Sequence, residues 1–151
     1  IAYYVGIDDN KAVAYGLPRR TFSRSAAAKL WETPLQKGHY YASPVLLDGT
    51  LFGVRQSGRM VSLDAKTGEI QKEQLFDEMH QRFGQIYAPL AIAGNRLYVF
   101  SDNGSVLVLQ PTKAFKELGM NHIEKLRSGP LFDGNRIYLR GMRHLLCIGN
   151  K

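Results

Sequence analysis

Three histidines recur at nearly even intervals: His39, His80 and His122 stand 41 and 42 residues apart. Imidazole titrates near neutral pH and is the commonest ligand for transition metals, so one histidine from each of three neighbouring loops could build a metal or acid–base site. Tyr40 follows the first histidine and Arg82 closely follows the second. His39, Tyr40, His80, Arg82 and His122 are therefore the candidate ligand face. Tyr41, Phe83 and Tyr87 are near enough to stack on a ligand or to line a channel. Two features weigh against catalysis. The histidines stand at different offsets from the strand that follows each, and no carboxylate recurs beside all three. Loop histidines are ordinarily surface residues. No phosphate-cradling glycine loop, dinucleotide fingerprint, H-E-x-x-H or G-x-S-x-G is present. The expectation is a binding face, with no catalytic and no metal-ligating residue assigned.

The bulk properties agree with a binding role. Apolar residues make up 44% and charged residues 22% of 151, ordinary for a packed domain. No run approaches the ~20 apolar residues of a membrane span. The net charge of +7 suits an anionic partner, but no long basic block marks a nucleic-acid tail, and the densest cluster is Arg19, Arg20 and Arg24. Nucleic acid is thus not the expected partner. Cys147, the single cysteine, lies in the run Leu145-Leu146-Cys147-Ile148 and reads as a small core residue. The Asn103-Gly104-Ser105 sequon is set aside, since its glycine is explained by a turn.

The elements that would carry these loops repeat. Gly49, Gly94 and Gly134, 45 and 40 residues apart, are followed by the pairs Leu51-Phe52, Leu97-Tyr98 and Ile137-Tyr138. Each copy reads as strand, tight turn, strand, tight turn, strand. The first turn is Asp48-Gly49, Gly94-Asn95 or Asp133-Gly134, and the second is Asn10-Lys11, Ser57-Gly58 or Asn103-Gly104. The strands are apolar on both faces in places, as in sheets covered on both sides. A more polar fourth strand follows at residues 29–33, 69–73 and 115–118. Four antiparallel strands every 40–45 residues mark the blades of a β-propeller. The fold class is all-β, with helical turns admitted only at Ala26–Ala28 and at residues 76–82. Two full blades are expected at 39–80 and 81–122, a leading blade lacking its innermost strand at 1–38, and a three-stranded blade at 123–151.

The turn Leu63-Asp64-Ala65-Lys66-Thr67-Gly68-Glu69 resembles that of the quinoprotein repeats, written A-x-D-x-x-T-G-x-x-x-W, with Lys72 in the place of the Trp. The copy ending at Trp31 keeps the Trp but not the turn. This resemblance to the quinoprotein alcohol dehydrogenase-like superfamily implies the C-terminal half of a seven- or eight-bladed ring, about three and a half blades. It implies that the loops joining blades and the turns between second and third strands surround a channel mouth, and that Trp31 packs between blades. Similar propellers serve as outer-membrane assembly lipoproteins, sensor domains and exported bacterial proteins, which implies a periplasmic or exported setting and a protein or small-ligand partner at that face. The related dehydrogenases hold a quinone between a Trp and a disulfide of neighbouring cysteines, with Ca²⁺. One Trp and one Cys do not make that site, so no cofactor is expected in this segment. A quinone (PQQ) with Ca²⁺, and a dehydrogenase activity, would need residues beyond it.

Overall fold

Short turns force the chain into hairpins. At Asp48 and Gly49 φ is 46° and 75°, the doubly left-handed turn whose twist matches that of the strands it joins. The computed structural model describes residues 1–6, 9–18, 27–76 and 83–149. Among these there are four antiparallel sheets and no helix. β1 (Ala2–Val5), β2 (Lys11–Gly16) and β3 (Ala28–Pro34) form the first sheet. The second comprises β4 (Val45–Leu47), β5 (Thr50–Val54), β6 (Arg59–Asp64) and β7 (Ile70–Leu75). The third comprises β8 (Ala91–Ala93), β9 (Arg96–Phe100), β10 (Ser105–Leu109) and β11 (Glu117–His122). The fourth comprises β12 (Leu131–Asp133), β13 (Arg136–Arg140) and β14 (Leu145–Gly149). Each sheet runs in sequence order from a short first strand to its last, the meander of a propeller blade. Ala28 begins β3, while Ala26 and residues 77–82 lie outside the described residues.

The sheets stack face to face in chain order because their middle strands are apolar on both sides. Leu51 packs with Trp31, Ala12 and Ala14 of the first sheet. Its neighbour Phe52 points the opposite way, into a cluster with Leu97, Val99, Leu107 and Leu109 of the third. Phe100 and Val106 pack in turn on Leu139 and Leu146 of the fourth. Each such side chain taken out of water contributes about 1.5–3 kcal/mol.

Thr50, Arg96 and Arg136 open the second strands of successive blades, so the repeat advances by 46 residues and then by 40. The spacing by glycines is one residue short at the first step. The turns in register are Asp48-Gly49, Gly94-Asn95 and Gly134-Asn135, and Asp133 is a strand residue paired with Arg136. The last strands begin later than the polar runs suggest, at Ile70 and at Glu117. Each pairs with its neighbour through a register shift at one repeated position: Ala14/Tyr15, Ser62/Leu63 and Val108/Leu109.

Two interfaces between blades are locked differently. The Trp31 indole Nε1 donates to the Ala65 carbonyl at 3.0 Å, and Thr33 Oγ1 donates to the Gly68 carbonyl at 2.6 Å. A Cβ on Gly68 would stand 2.6 Å from the indole ring, so the Asp64–Gly68 turn is the seat of the Trp, which lies between blades as expected. Asp64 Oδ1 accepts the backbone N–H groups of Lys66 and Thr67, both at 2.9 Å, and these bonds, that of Thr67 foremost, hold its carboxyl below the usual carboxylate range. At the next interface Lys72 replaces the Trp, and the following turn carries Phe115. Expected to open a strand, Phe115 instead sits in the turn at φ 50°, buried against Phe52 with ring centroids 6.0 Å apart. Cys147 is also not in the core. It is exposed on the outward face of the last sheet, because strand alternation sends Leu146 inward.

Candidate binding face

The connections between sheets and the turns between second and third strands meet at one end of the molecule, tied by a bond that recurs in the second, third and fourth sheets. The backbone N–H of Gln56 donates to the His39 carbonyl, that of Asp102 to Gln85, and that of Met142 to Lys125, at 2.8, 2.8 and 2.9 Å. In every case the donor lies 17 residues after the acceptor. Side chains reinforce the ties. Asn10 Oδ1 accepts the Gly38 N–H (2.7 Å) and Asp102 Oδ1 accepts the Gln85 N–H (2.8 Å). Gln56 also accepts the Ile86 N–H at its carbonyl (3.0 Å), which links the second sheet to the third.

This register settles which residues are equivalent. His39 corresponds to Gln85 and Lys125. His122 ends β11 and pairs with Ser105, the place that Leu75 holds opposite Arg59. His39 and His122 are therefore not repeats of each other. The 41- and 42-residue intervals differ from the 46 and 40 of the blades. His80 and Arg82 lie outside the described residues. Tyr40, read as a ligand-face candidate, is only 2% exposed and packs with Leu35, Leu51 and Trp31. The chain alternates there, so Tyr40 turns into the core, where burial pushes its hydroxyl pKa up, and its neighbours His39 and Tyr41 turn out. Among the described residues no group of three or more His, Cys, Asp or Glu is placed to hold a metal ion.

What the structure does assemble stands two residues beyond the recurrent tie: Tyr41, Tyr87 and Arg127, one position per blade. His39 stacks on Tyr41 (centroids 5.5 Å), and Tyr41 stacks on Tyr87 (5.4 Å). The Arg127 guanidinium lies 4.7 Å from the centre of the Tyr87 ring and 3.9 Å from Asp102. Gln56 Nε2 donates to the Tyr87 hydroxyl at 2.9 Å and to Gln85 Oε1 at 3.1 Å, and the Tyr87 hydroxyl donates to Gln85 Oε1. The result is a continuous strip of flat groups across three blades, with His39, Tyr41 and Arg127 exposed. Tyr41 and Tyr87 were recognisable in the sequence as possible stackers. Arg127 heads the third copy of the repeat as Tyr41 and Tyr87 head the first two, but an arginine there does not stand out as a stacking partner until it lies over the Tyr87 ring.

Beyond the strip, the turn Gly141–His144 is held by Glu124. Its Oε1 accepts the N–H groups of Arg143 (3.1 Å) and His144 (3.0 Å), and its Oε2 lies 2.7 Å from His144 Nδ1. The His144 side chain first, then the two backbone donors, draw the Glu124 carboxyl down to about 2.

Among solved structures, BamB from Moraxella catarrhalis matches 95% of this chain and 40% of its own length, with a TM-score of 0.70 and 14% identity. A europium-containing methanol dehydrogenase matches 80% of this chain and 22% of its own length (TM-score 0.58, 15% identity). The quinohemoprotein alcohol dehydrogenase ADHIIG from Pseudomonas putida HK5 matches 65% and 16% (TM-score 0.53, 14% identity). The chain thus spans less than half the length of each. No protein-family model and no curated protein sequence matches it.

Proposed function

We propose that this chain, whose fold is that of the quinoprotein-like β-propellers, works as a non-catalytic scaffold that docks a polypeptide partner on the face bearing Tyr41, Tyr87 and Arg127. One observation carries the reading: three successive blades contribute the same repeat position to one exposed, continuous strip. Tyr and Arg are the side chains that concentrate binding energy at protein interfaces. A strip fixed by backbone ties loses little conformational freedom on binding. An exported or periplasmic setting belongs to the same reading. Among the described residues no helix is long and apolar enough to cross a membrane.

Position-specific photocrosslinking in cells tests this. A photoreactive residue at Tyr41 of the full-length protein should yield a discrete polypeptide adduct, whereas one at Asn95, in a turn at the opposite end of the blades, should not. Identical adducts at both positions, or none at Tyr41, would count against it.

The second reading is a quinone-dependent dehydrogenase, favoured by likeness in fold to two dehydrogenases. The residues described here do not fit the group. Trp31 is committed to Ala65 and Gly68, and no acidic cluster gathers for Ca²⁺. Titrating the full-length protein with the quinone and Ca²⁺, followed by absorbance, separates the two: saturable binding would favour the enzyme.

A further inference from the structure

We infer that the docked partner is an acidic segment, its carboxylates seated in a groove lined by Arg127, Ser128, Arg140, Arg143, His144 and Leu145. This rests on the docking reading above and adds the chemistry of the partner. The groove encloses about 730 Å³, within the ~300–1,000 Å³ of sites that take small ligands or a few side chains. Arg140 and Arg143 are exposed, and neither forms an ion pair among the described residues. The three arginines of the groove outnumber the two nearby carboxylates, Glu124 and Asp102. Glu124 is held by His144 and two backbone N–H groups, and Asp102 by the Gln85 N–H and, at 3.9 Å, by Arg127. A guanidinium presents paired donors that match a carboxylate, so arginines left unpaired are selective for one.

The backbone beneath them is already set. Met142 N–H donates to the Lys125 carbonyl and Gly141 N–H to the His144 carbonyl, both at 2.9 Å. Arg140 and Arg143 thus bracket a fixed turn.

Arg127 belongs to both the groove and the aromatic strip. An extended chain lying along the strip would bring its side chains past Tyr41 and Tyr87 and its carboxylates over the arginines. A net charge of +7 draws such a chain in. A single-stranded nucleic acid fits less well, since bases need free ring faces. Tyr41 already stacks with His39 and Tyr87, and Tyr87 with Tyr41 and Arg127.

The test uses the full-length protein and fluorescence anisotropy. Three labelled probes are compared: a peptide alternating Glu and Tyr, the same peptide with Gln for Glu, and a single-stranded oligonucleotide. The acidic peptide should bind about tenfold more tightly than the neutral one, an advantage that shrinks with added salt. Arg140→Gln with Arg143→Gln should remove that advantage and leave the neutral peptide's affinity unchanged. Both positions are exposed, and an unchanged melting temperature verifies the fold. Equal affinity for the two peptides, an acidic peptide indifferent to the double variant, or tighter binding of the oligonucleotide would each overturn the acidic-segment inference. If both peptides bind equally and lose affinity on Tyr87→Ala, only the acidic chemistry fails and the docking reading stands. If neither binds, both fail.

Discussion

Trp31 shows how one side chain can join two blades. Its ring fills the space above Gly68, and its Nε1 satisfies a carbonyl of the next blade. Trp31→Ala in the full-length protein should cost about 3–5 kcal/mol in chemical denaturation, and Trp31→Phe much less. An unaltered midpoint for the alanine variant would refute the packing role. Phe115 does the corresponding work one interface later, and nothing in the sequence announced it. Aromatic residues disfavour left-handed backbone, so a pattern reading places Phe115 in a strand, and only its packing on Phe52 explains φ 50°. Phe115→Ala should cost about 3–5 kcal/mol. Phe115→Gly should cost no more, because relief of about 1 kcal/mol of left-handed strain offsets the greater freedom of unfolded glycine. Denaturation of the two variants side by side checks this, and a glycine variant clearly weaker than the alanine one would mean that the backbone there is unstrained.

At the scale of strands and turns, most of the architecture was legible. The alternation of two-residue turns with doubly apolar runs specifies four antiparallel sheets, and the Asp64–Gly68 turn specifies where a Trp docks. Exact register was not legible. Gly49 and Gly94 align by identity but sit at adjacent turn positions, which makes the first repeat step one residue too short. The histidines misled for a related reason, since even spacing in sequence is not equivalence when blades advance by 46 and 40 residues. The turn at Gly141–His144 gives a pH prediction. The Glu124 carboxyl is drawn from its ordinary 4.5 to about 2 in the folded state. Its contribution to stability is therefore fully present above about pH 4.5 and lost as pH falls toward 2. Melting temperatures of the full-length protein between pH 5 and pH 3 should fall more for the native residue than for Glu124→Gln. Parallel curves would remove Glu124 from the acid response.

The whole molecule presents two broad apolar end faces. On the last sheet Leu131 and Leu145 are 65% and 75% exposed, and on the first Tyr4 and Leu30 are 47% and 51% exposed. Residues 1–151 produced alone should therefore self-associate, which light scattering coupled to size exclusion would detect. A monodisperse monomer that unfolds cooperatively would contradict this.

The register shifts on β3, β7 and β11 determine what such self-association would look like. A bulge twists the strand carrying it and interrupts its row of free N–H and C=O groups. It falls at the same step on β3, β7 and β11, so these three edges are poor templates for cross-β growth, whereas the edge of β14 carries no bulge and stays open to pairing. Any thioflavin-positive growth of this segment should then proceed through the β14 edge, and Cys147→Lys, at an exposed position of that strand, should suppress it.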